Sequence, residues 1–249
     1  MVVRRQHGDR PRLSNGDIHV WTVRLVDDPR ETAGLMSLLD QEERARAAQF
    51  SFERDRLRFI QAHGVVRQIL SDYCDVDAAR LTFARNHHGK PLLVPQANGS
   101  ELQFSVSHSG DFCLLAVGLD HAIGIDVEKV RDLPPAMDIA QSCFTPAESR
   151  ALAALQGTAR RDAFLLLWTH KEAMVKGLGV GLAANLGCLE FAFDAGGSWR
   201  LVAWCGDQSV VQRWSIRRLH AAPDCVAAVA SVRPIRSLTL GNWNRTGAN

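Results

Sequence analysis

A chain of 249 residues, 46% of them hydrophobic, can bury a core as one large domain or two small ones, which excludes disorder for most of its length. A formal net charge of +2 excludes a protein held to nucleic acid chiefly by a large positive field. No apolar run approaches the roughly 20 residues that span a bilayer, and the opening "MVVRRQHGDRPRLSNG" lacks a signal-peptide core, so a cytoplasmic protein with neither a membrane nor a nucleic-acid partner is expected.

Residues 1–15 are polar and read as a flexible segment. "DIHVWTVRLV" then alternates like a strand, and "LMSLLDQEERARAAQF" followed by "ERDRLRFIQAHGVVRQILSDY" has helical periodicity. "NHHGKPLL" is a loop punctuated by Gly and Pro, "LQFSVSHSGDFCLLAVGL" two strands about a Ser-Gly turn, and "AIGIDVEKV" a third strand. "TPAESRALAAL" opens a second helical region with a Thr cap and Pro at the first helical position; it runs through "RRDAFLLLWTHKEAMVKGLG" until glycines 177, 179 and 181 stop it. Strand-like "SWRLVAWC", "VVQRWSIRRL" and "DCVAAVASV" follow, and residues 236–249, rich in Gly and Asn, read as a flexible tail.

The two halves, 16–120 and 121–235, resemble each other. "FSV" from 104 matches "WSI" from 214, and "CLLAV" from 113 matches "CVAAV" from 225. At an offset of about 109, "FIQAHGVVR" lies over "WTHKEAMVK", placing His63 against Glu172 and Arg67 against Lys176. A duplicated unit builds a cleft within one chain, which points to a monomer. The six cysteines show neither zinc-ligand nor disulfide-scaffold spacing and read as small buried hydrophobes.

Two features point to chemistry. Twenty-five arginines stand against four lysines, Lys90, Lys129, Lys171 and Lys176, so each lysine invites its own explanation; a compact, rotatable ammonium serves phosphate groups well. In "IGIDVEKV", Asp126 and Glu128 share one face of a strand and Ile125 and Val127 the other. That is half of a metal site or an ordinary wet strand edge. On the second long helix, Trp168, Glu172 and Lys176 form one row. Packed toward Asp126 and Glu128, Glu172 would complete a set of three carboxylates suited to Mg2+, which keeps water and phosphate oxygens as its other ligands; alone, a Glu/Lys pair at this spacing is a surface salt bridge. Trp168 reads as a packing anchor. "GLGVGL" follows a helix instead of joining strand to helix, so it is no dinucleotide fingerprint.

"GIDVEKV", "FTPAE" and "WTHKEAMVKGLGVGL", in that order and after "HHGKP" and "FSVSHSG", resemble the Sfp-type 4'-phosphopantetheinyl transferases over roughly residues 86–182. The resemblance implies an α+β fold of two similar α/β halves related by a pseudo-twofold axis, with the active site in the cleft between them. It implies transfer of the 4'-phosphopantetheine arm of coenzyme A to a serine of an apo acyl or peptidyl carrier protein, with Mg2+ as cofactor and 3',5'-ADP released. By motif position it implies Asp126, Glu128 and Glu172 as metal ligands, and Lys171 and Lys176 beside the pyrophosphate. Lys90, Pro91, Ser107, His108 and Arg58, with Arg46, would hold the 3'-phosphoadenosine end. Glu148 is either a helix-start carboxylate or a proton-transfer residue; the base is Glu172 or a water that Glu148 orients. Two alternatives use the same residues: a non-catalytic coenzyme A or nucleotide-binding module, and a metal-dependent pyrophosphate hydrolase. Which pathway's carriers are served is not legible.

Overall fold

The computed structural model describes residues 2–3, 11–95, 101–131, 136–181 and 186–243. The chain opens with β1 (Val2–Val3) and β2 (Asp17–Arg24), then α1 (Pro29–Met36), α2 (Gln41–Ala48) and α3 (Glu53–Cys74). A 3-10 turn at Ala78–Arg80, the hairpin β3 (Phe83–Arg85) and β4 (Pro91–Leu93), and the pair β5 (Leu102–Ser109) and β6 (Phe112–Leu119) complete the first half. The order then repeats: β7 (Ile123–Lys129), α4 (Ala136–Cys143), α5 (Pro146–Ala153), α6 (Gly157–Leu178), a 3-10 turn at Leu186–Cys188, and the hairpin β8 (Leu189–Phe193) and β9 (Trp199–Trp204). A short α7 (Val210–Arg213), β10 (Ser215–Leu219), β11 (Cys225–Ser231) and β12 (Ser237–Trp243) follow. This mixed α+β architecture carries a five-stranded sheet in the order β1-β12-β2-β6-β5 and a three-stranded sheet β10-β11-β7.

Local chemistry sets the helix boundaries. The run "LMSLLDQEERARAAQF" is broken because Asp40 caps α2 through a reciprocal pair with Glu43, which starts a new helix inside the periodic stretch. Thr145 and Glu148 form the same capping box on α5, behind Pro146 at the first helical position. Gly179, at φ +70°, terminates α6. "NHHGK" is the turn between two short strands, β3 and β4, that the sequence did not disclose.

The long helices α3 and α6 have 22 residues each, and aligning their starts sets Arg67 against Lys171. The offset of about 109 is therefore corrected, and the physical content agrees. Arg67 bonds the capping-box Glu43 at 2.7 Å and the carbonyls of Ala78 and Leu81 beside the first 3-10 turn. Lys171 bonds the capping-box Glu148 at 2.6 Å and the carbonyls of Leu186 and Leu189 beside the second. Each half thus uses one fully buried cation to tie a capping box to the turn after its long helix.

The tail is also corrected. Residues 237–243 are no flexible extension but β12, paired in parallel with β2, so the C-terminal half returns a strand to the first sheet. Leu238 and Leu240 pack against the cluster of Ile18, Val20 and Leu114, and Trp243 meets Trp21 edge-on at 6.5 Å. Gly241 makes room, since a Cβ there would lie 2.7 Å from the Trp21 ring. Of the first segment, Val2–Val3 pairs with β12 while residues 4–10 lie outside the described residues. The cysteines divide: Cys74 and Cys113 are buried, but Cys205 is exposed.

Candidate active site

The site forms where the edges of the two sheets meet. β5 and β7 run side by side, joined by side chains instead of a backbone ladder. The N–H groups of Ile125, Val127 and Lys129 donate to the hydroxyls of Ser105, Ser107 and Ser109 at 3.1, 3.4 and 3.0 Å. Serines at alternate positions share a face of a strand, so "FSVSHSG" supplies three acceptors at the pitch of the neighbouring edge. Gly124 brings α6 down on this joint, for a Cβ there would stand 1.9 Å from the Ala173 carbonyl oxygen and 2.4 Å from the Gly177 nitrogen. With backbone against backbone, Glu172 and Lys176 reach the face of β7 that carries the acids.

On β7, Ile125 and Val127 are buried in the apolar cluster, while Asp126 and Glu128 point toward α6 and β5. Asp126 Oδ1 accepts from Ser107 at 2.8 Å and from Lys176 Nζ at 2.6 Å; Glu128 Oε2 accepts from Ser109 at 2.9 Å. Burial pushes the Asp126 carboxyl up despite Lys176, and pushes Glu128 up with Asp126 adding to it. Glu172 is pushed up to about 7, first by burial and then by the charge of Asp126, with Lys176 opposing and Glu128 adding. The strand pair and the helical acid therefore face one another across the joint.

Two of their oxygens, Asp126 Oδ2 and Glu172 Oε1, are buried without a hydrogen-bond partner among the described residues. Orphaned carboxylate oxygens within a repelling cluster fit a hard divalent cation. Among the described residues no three or more His, Cys, Asp or Glu side chains are gathered closely enough to hold a metal ion as they stand. The cluster is an open set of donors with Lys176 on one of its oxygens. A proton can also relieve the repulsion, which gives a signed expectation. The folded protein holds on Glu172 a proton that the unfolded chain releases above its ordinary 4.5, so stability is full below about pH 4.5 and is lost as pH rises through about 7. Melts of metal-free protein should fall between pH 5 and 7.5 by up to about 3 kcal/mol, and Glu172→Gln should flatten that limb. An unchanged pH slope in the variant would exclude Glu172 as its source.

Beside the joint, between α2, α3 and β5, lies a cavity of about 370 Å³ whose lining includes Arg58, Arg85, His63, His108, Phe59 and Pro91. Arg58 is held by Asp27 at 2.9 Å, Asp111 at 2.7 Å and the Gly110 carbonyl. His108 is exposed, yet desolvation beside the cavity and the nearby Lys176, His63 and Arg46 keep it below the usual imidazole range. Arg46 is exposed at the rim, its guanidinium 5.7 Å from the centre of the Phe59 ring. Arg85 and Phe59 went unnoticed in the sequence because nothing in their spacing separates them from surface and core residues.

Four expected site residues do other work. Lys171 and Glu148 are both 0% exposed and bonded to each other. The remaining Glu148 contacts are the Thr145 N–H on Oε2 and the Phe191 N–H on Oε1, so it has no oxygen turned to a substrate or a water. This corrects both the pyrophosphate role of Lys171 and the proton-transfer role of Glu148. Ser107 is buried, and its hydroxyl serves Asp126, Lys176 and the Val127 N–H, which leaves none of it for a phosphate. Lys90 is not on the cavity wall. Its ammonium, pushed down to about 8 by burial, donates to the carbonyls of Ile123 at 3.0 Å and Gly177 at 3.4 Å. With Asn86 on the Gly179 carbonyl at 2.7 Å, it fastens the β3–β4 hairpin to the C-terminal half.

Residues 122–230 match the 4'-phosphopantetheinyl transferase superfamily, and residues 27–119 match the N-terminal region of 4'-phosphopantetheinyl transferases. The chain is 32% identical to the 4'-phosphopantetheinyl transferase HetI of Nostoc sp. over 218 residues, 88% of this chain and 89% of that protein. It is 30% identical to the 4'-phosphopantetheinyl transferase Sfp of Bacillus subtilis over 63% of this chain and 67% of that one. To the L-aminoadipate-semialdehyde dehydrogenase-phosphopantetheinyl transferase of Xenopus laevis it is 31% identical, over 60% of this chain and 52% of that one. No helix among the described residues is long and apolar enough to cross a membrane. With both halves matched, and the match to the Nostoc protein running through nearly the whole of each chain, this protein belongs to the 4'-phosphopantetheinyl transferase family of enzymes.

Proposed function

We propose that this enzyme moves the 4'-phosphopantetheine arm of coenzyme A to the serine hydroxyl of an apo acyl or peptidyl carrier protein, with magnesium required and 3',5'-ADP released. The observation that carries the reading is the facing set of Asp126, Glu128 and Glu172, with two buried oxygens unpartnered and Lys176 alongside, next to a cavity whose lining carries Arg58 and Arg85 together with the acids Asp40, Glu42, Glu43 and Asp55. Asp126, Glu128 and Glu172 would hold the magnesium, which when bound supplies Lewis-acid polarisation of the phosphate oxygens.

The remaining work falls to the chain itself. Arg58, Arg85 and His108, with Arg46 at the rim, hold the 3'-phosphoadenosine end against the aromatic wall of Phe59, and Pro91 shapes its floor. Lys176 stands at the acid cluster, where it meets negative charge developing on the departing phosphate. The carrier serine oxygen forms a bond to the β-phosphorus while the bond to 3',5'-ADP breaks. Positioning and charge neutralisation are most of what such a displacement asks of a protein. The serine proton needs a base, and Glu172, unlike Glu148, keeps an oxygen free of hydrogen bonds.

Mass spectrometry of an apo carrier domain incubated with the protein, coenzyme A and Mg2+ tests this directly. The expected result is a gain of one phosphopantetheine arm. Asp126→Asn should slow the gain by more than the roughly 10–100-fold that losing a partner behind a metal ligand costs. No gain on a panel of carriers while coenzyme A stays bound would make the chain a binding module, and carrier-independent release of 3',5'-ADP would make it a hydrolase; either replaces the proposal.

A further inference from the structure

We infer that Ser109 is a positioning residue for the acid cluster, setting the Glu128 carboxylate for a divalent cation through a hydrogen-bond strut that spans the two sheets. This deepens the reading of Asp126, Glu128 and Glu172 as cation ligands and rests on it. The struts repeat in register: Ser107 donates to Asp126 at 2.8 Å and Ser109 to Glu128 at 2.9 Å, each 19 residues apart in the chain. A hydroxyl has one hydrogen to give. The N–H of Lys129 can only donate, and it fills a Ser109 lone pair at 3.0 Å, so the hydroxyl hydrogen is left for the carboxylate. The backbone of β7 thus fixes the serine, and the serine fixes the acid borne by that same strand. Among the described residues Glu128 has no hydrogen-bond partner other than this hydroxyl, whereas Asp126 is also held by Lys176. Ser109 is therefore the strut whose loss leaves an acid loose.

Ser105 supplies the internal control. It accepts the Ile125 N–H at 3.1 Å as Ser109 accepts that of Lys129, but the β7 residue at the matching position is Gly124, which has no carboxylate to orient. Ser105 is 4% exposed, so its loss strands a buried N–H, while Ser109 lies nearer solvent.

The experiment titrates Mn2+ alone into metal-free protein, read by electron paramagnetic resonance, beside thermal melts. Ser109→Ala should weaken Mn2+ binding by roughly 10-fold or more, and Ser109→Thr, which keeps the hydroxyl, should restore it. Ser105→Ala should melt about 2–12 °C lower with Mn2+ affinity intact. Wild-type affinity in Ser109→Ala, or equal weakening by Ser105→Ala, overturns the inference while leaving the acids as ligands. Absence of Mn2+ binding in the wild type overturns the ligand reading itself, and the inference with it.

Discussion

Replacing Lys171 by methionine should lower stability by roughly 3–5 kcal/mol, the usual consequence of breaking one side of a buried ion pair. For a chain of this length that is a fall of roughly 6–20 °C in melting temperature. The reason is geometric. Lys171 Nζ donates to Glu148 and to two backbone carbonyls and sits 4.9 Å from the centre of the Phe144 ring, with no solvent in reach. Without it, Glu148 is a carboxylate in the core and the carbonyls of Leu186 and Leu189 lose their donor. Combining Lys171→Met with Glu148→Gln removes both charges and should recover part of the loss. The same pair of variants separates structure from catalysis: Glu148→Gln should lower the melting temperature, and a variant that melts like wild type yet turns over slowly would return Glu148 to the reaction.

Gly124→Ala should be at least as damaging, by about 3 kcal/mol or more, above most over-packing substitutions, because the atoms in the way are backbone and cannot rotate aside. The added methyl would push α6 off β7 and carry Glu172 and Lys176 away from Asp126. Phosphopantetheine transfer by the fraction that still folds should therefore fall with stability. Gly187→Ala is the comparison, since a Cβ there meets only the Cys143 carbonyl oxygen at 3.8 Å. Denaturant midpoints and the carrier assay measure both; equal tolerance at the two positions would remove the close helix–strand approach as the device that assembles the site.

The adjacent pair Lys171 and Glu172, of which only the lysine was misassigned, shows where a linear reading stops. Consecutive residues on a helix point about 100° apart, so an "HKE" motif sends its lysine and its glutamate to different places. Here Lys171 turns into the core against α5 and the second 3-10 turn, while Glu172 turns to β7. A motif held together in sequence is split in space by helical pitch. The register of the repeat has a similar origin. Matching residue types set Arg67 against Lys176, but the equivalent groups are the buried cations Arg67 and Lys171, recognisable only by what they bond.

By itself the sequence determined what periodicity and local chemistry govern: strand alternation that separates Asp126 and Glu128 from Ile125 and Val127, the row from Trp168 to Lys176, the Thr145 cap, the glycine stop after α6, and an ordered motif set sufficient to name a family. Only the tertiary structure decided which polar groups remain available. Ser107, Lys90, Lys171 and Glu148 are committed to partners 15 to 87 residues away, and β12 is a strand because apolar residues elsewhere cover it. The physical reason is that a polar side chain's role depends on whether burial has already supplied its hydrogen-bond partners, and those partners come from other elements of the fold.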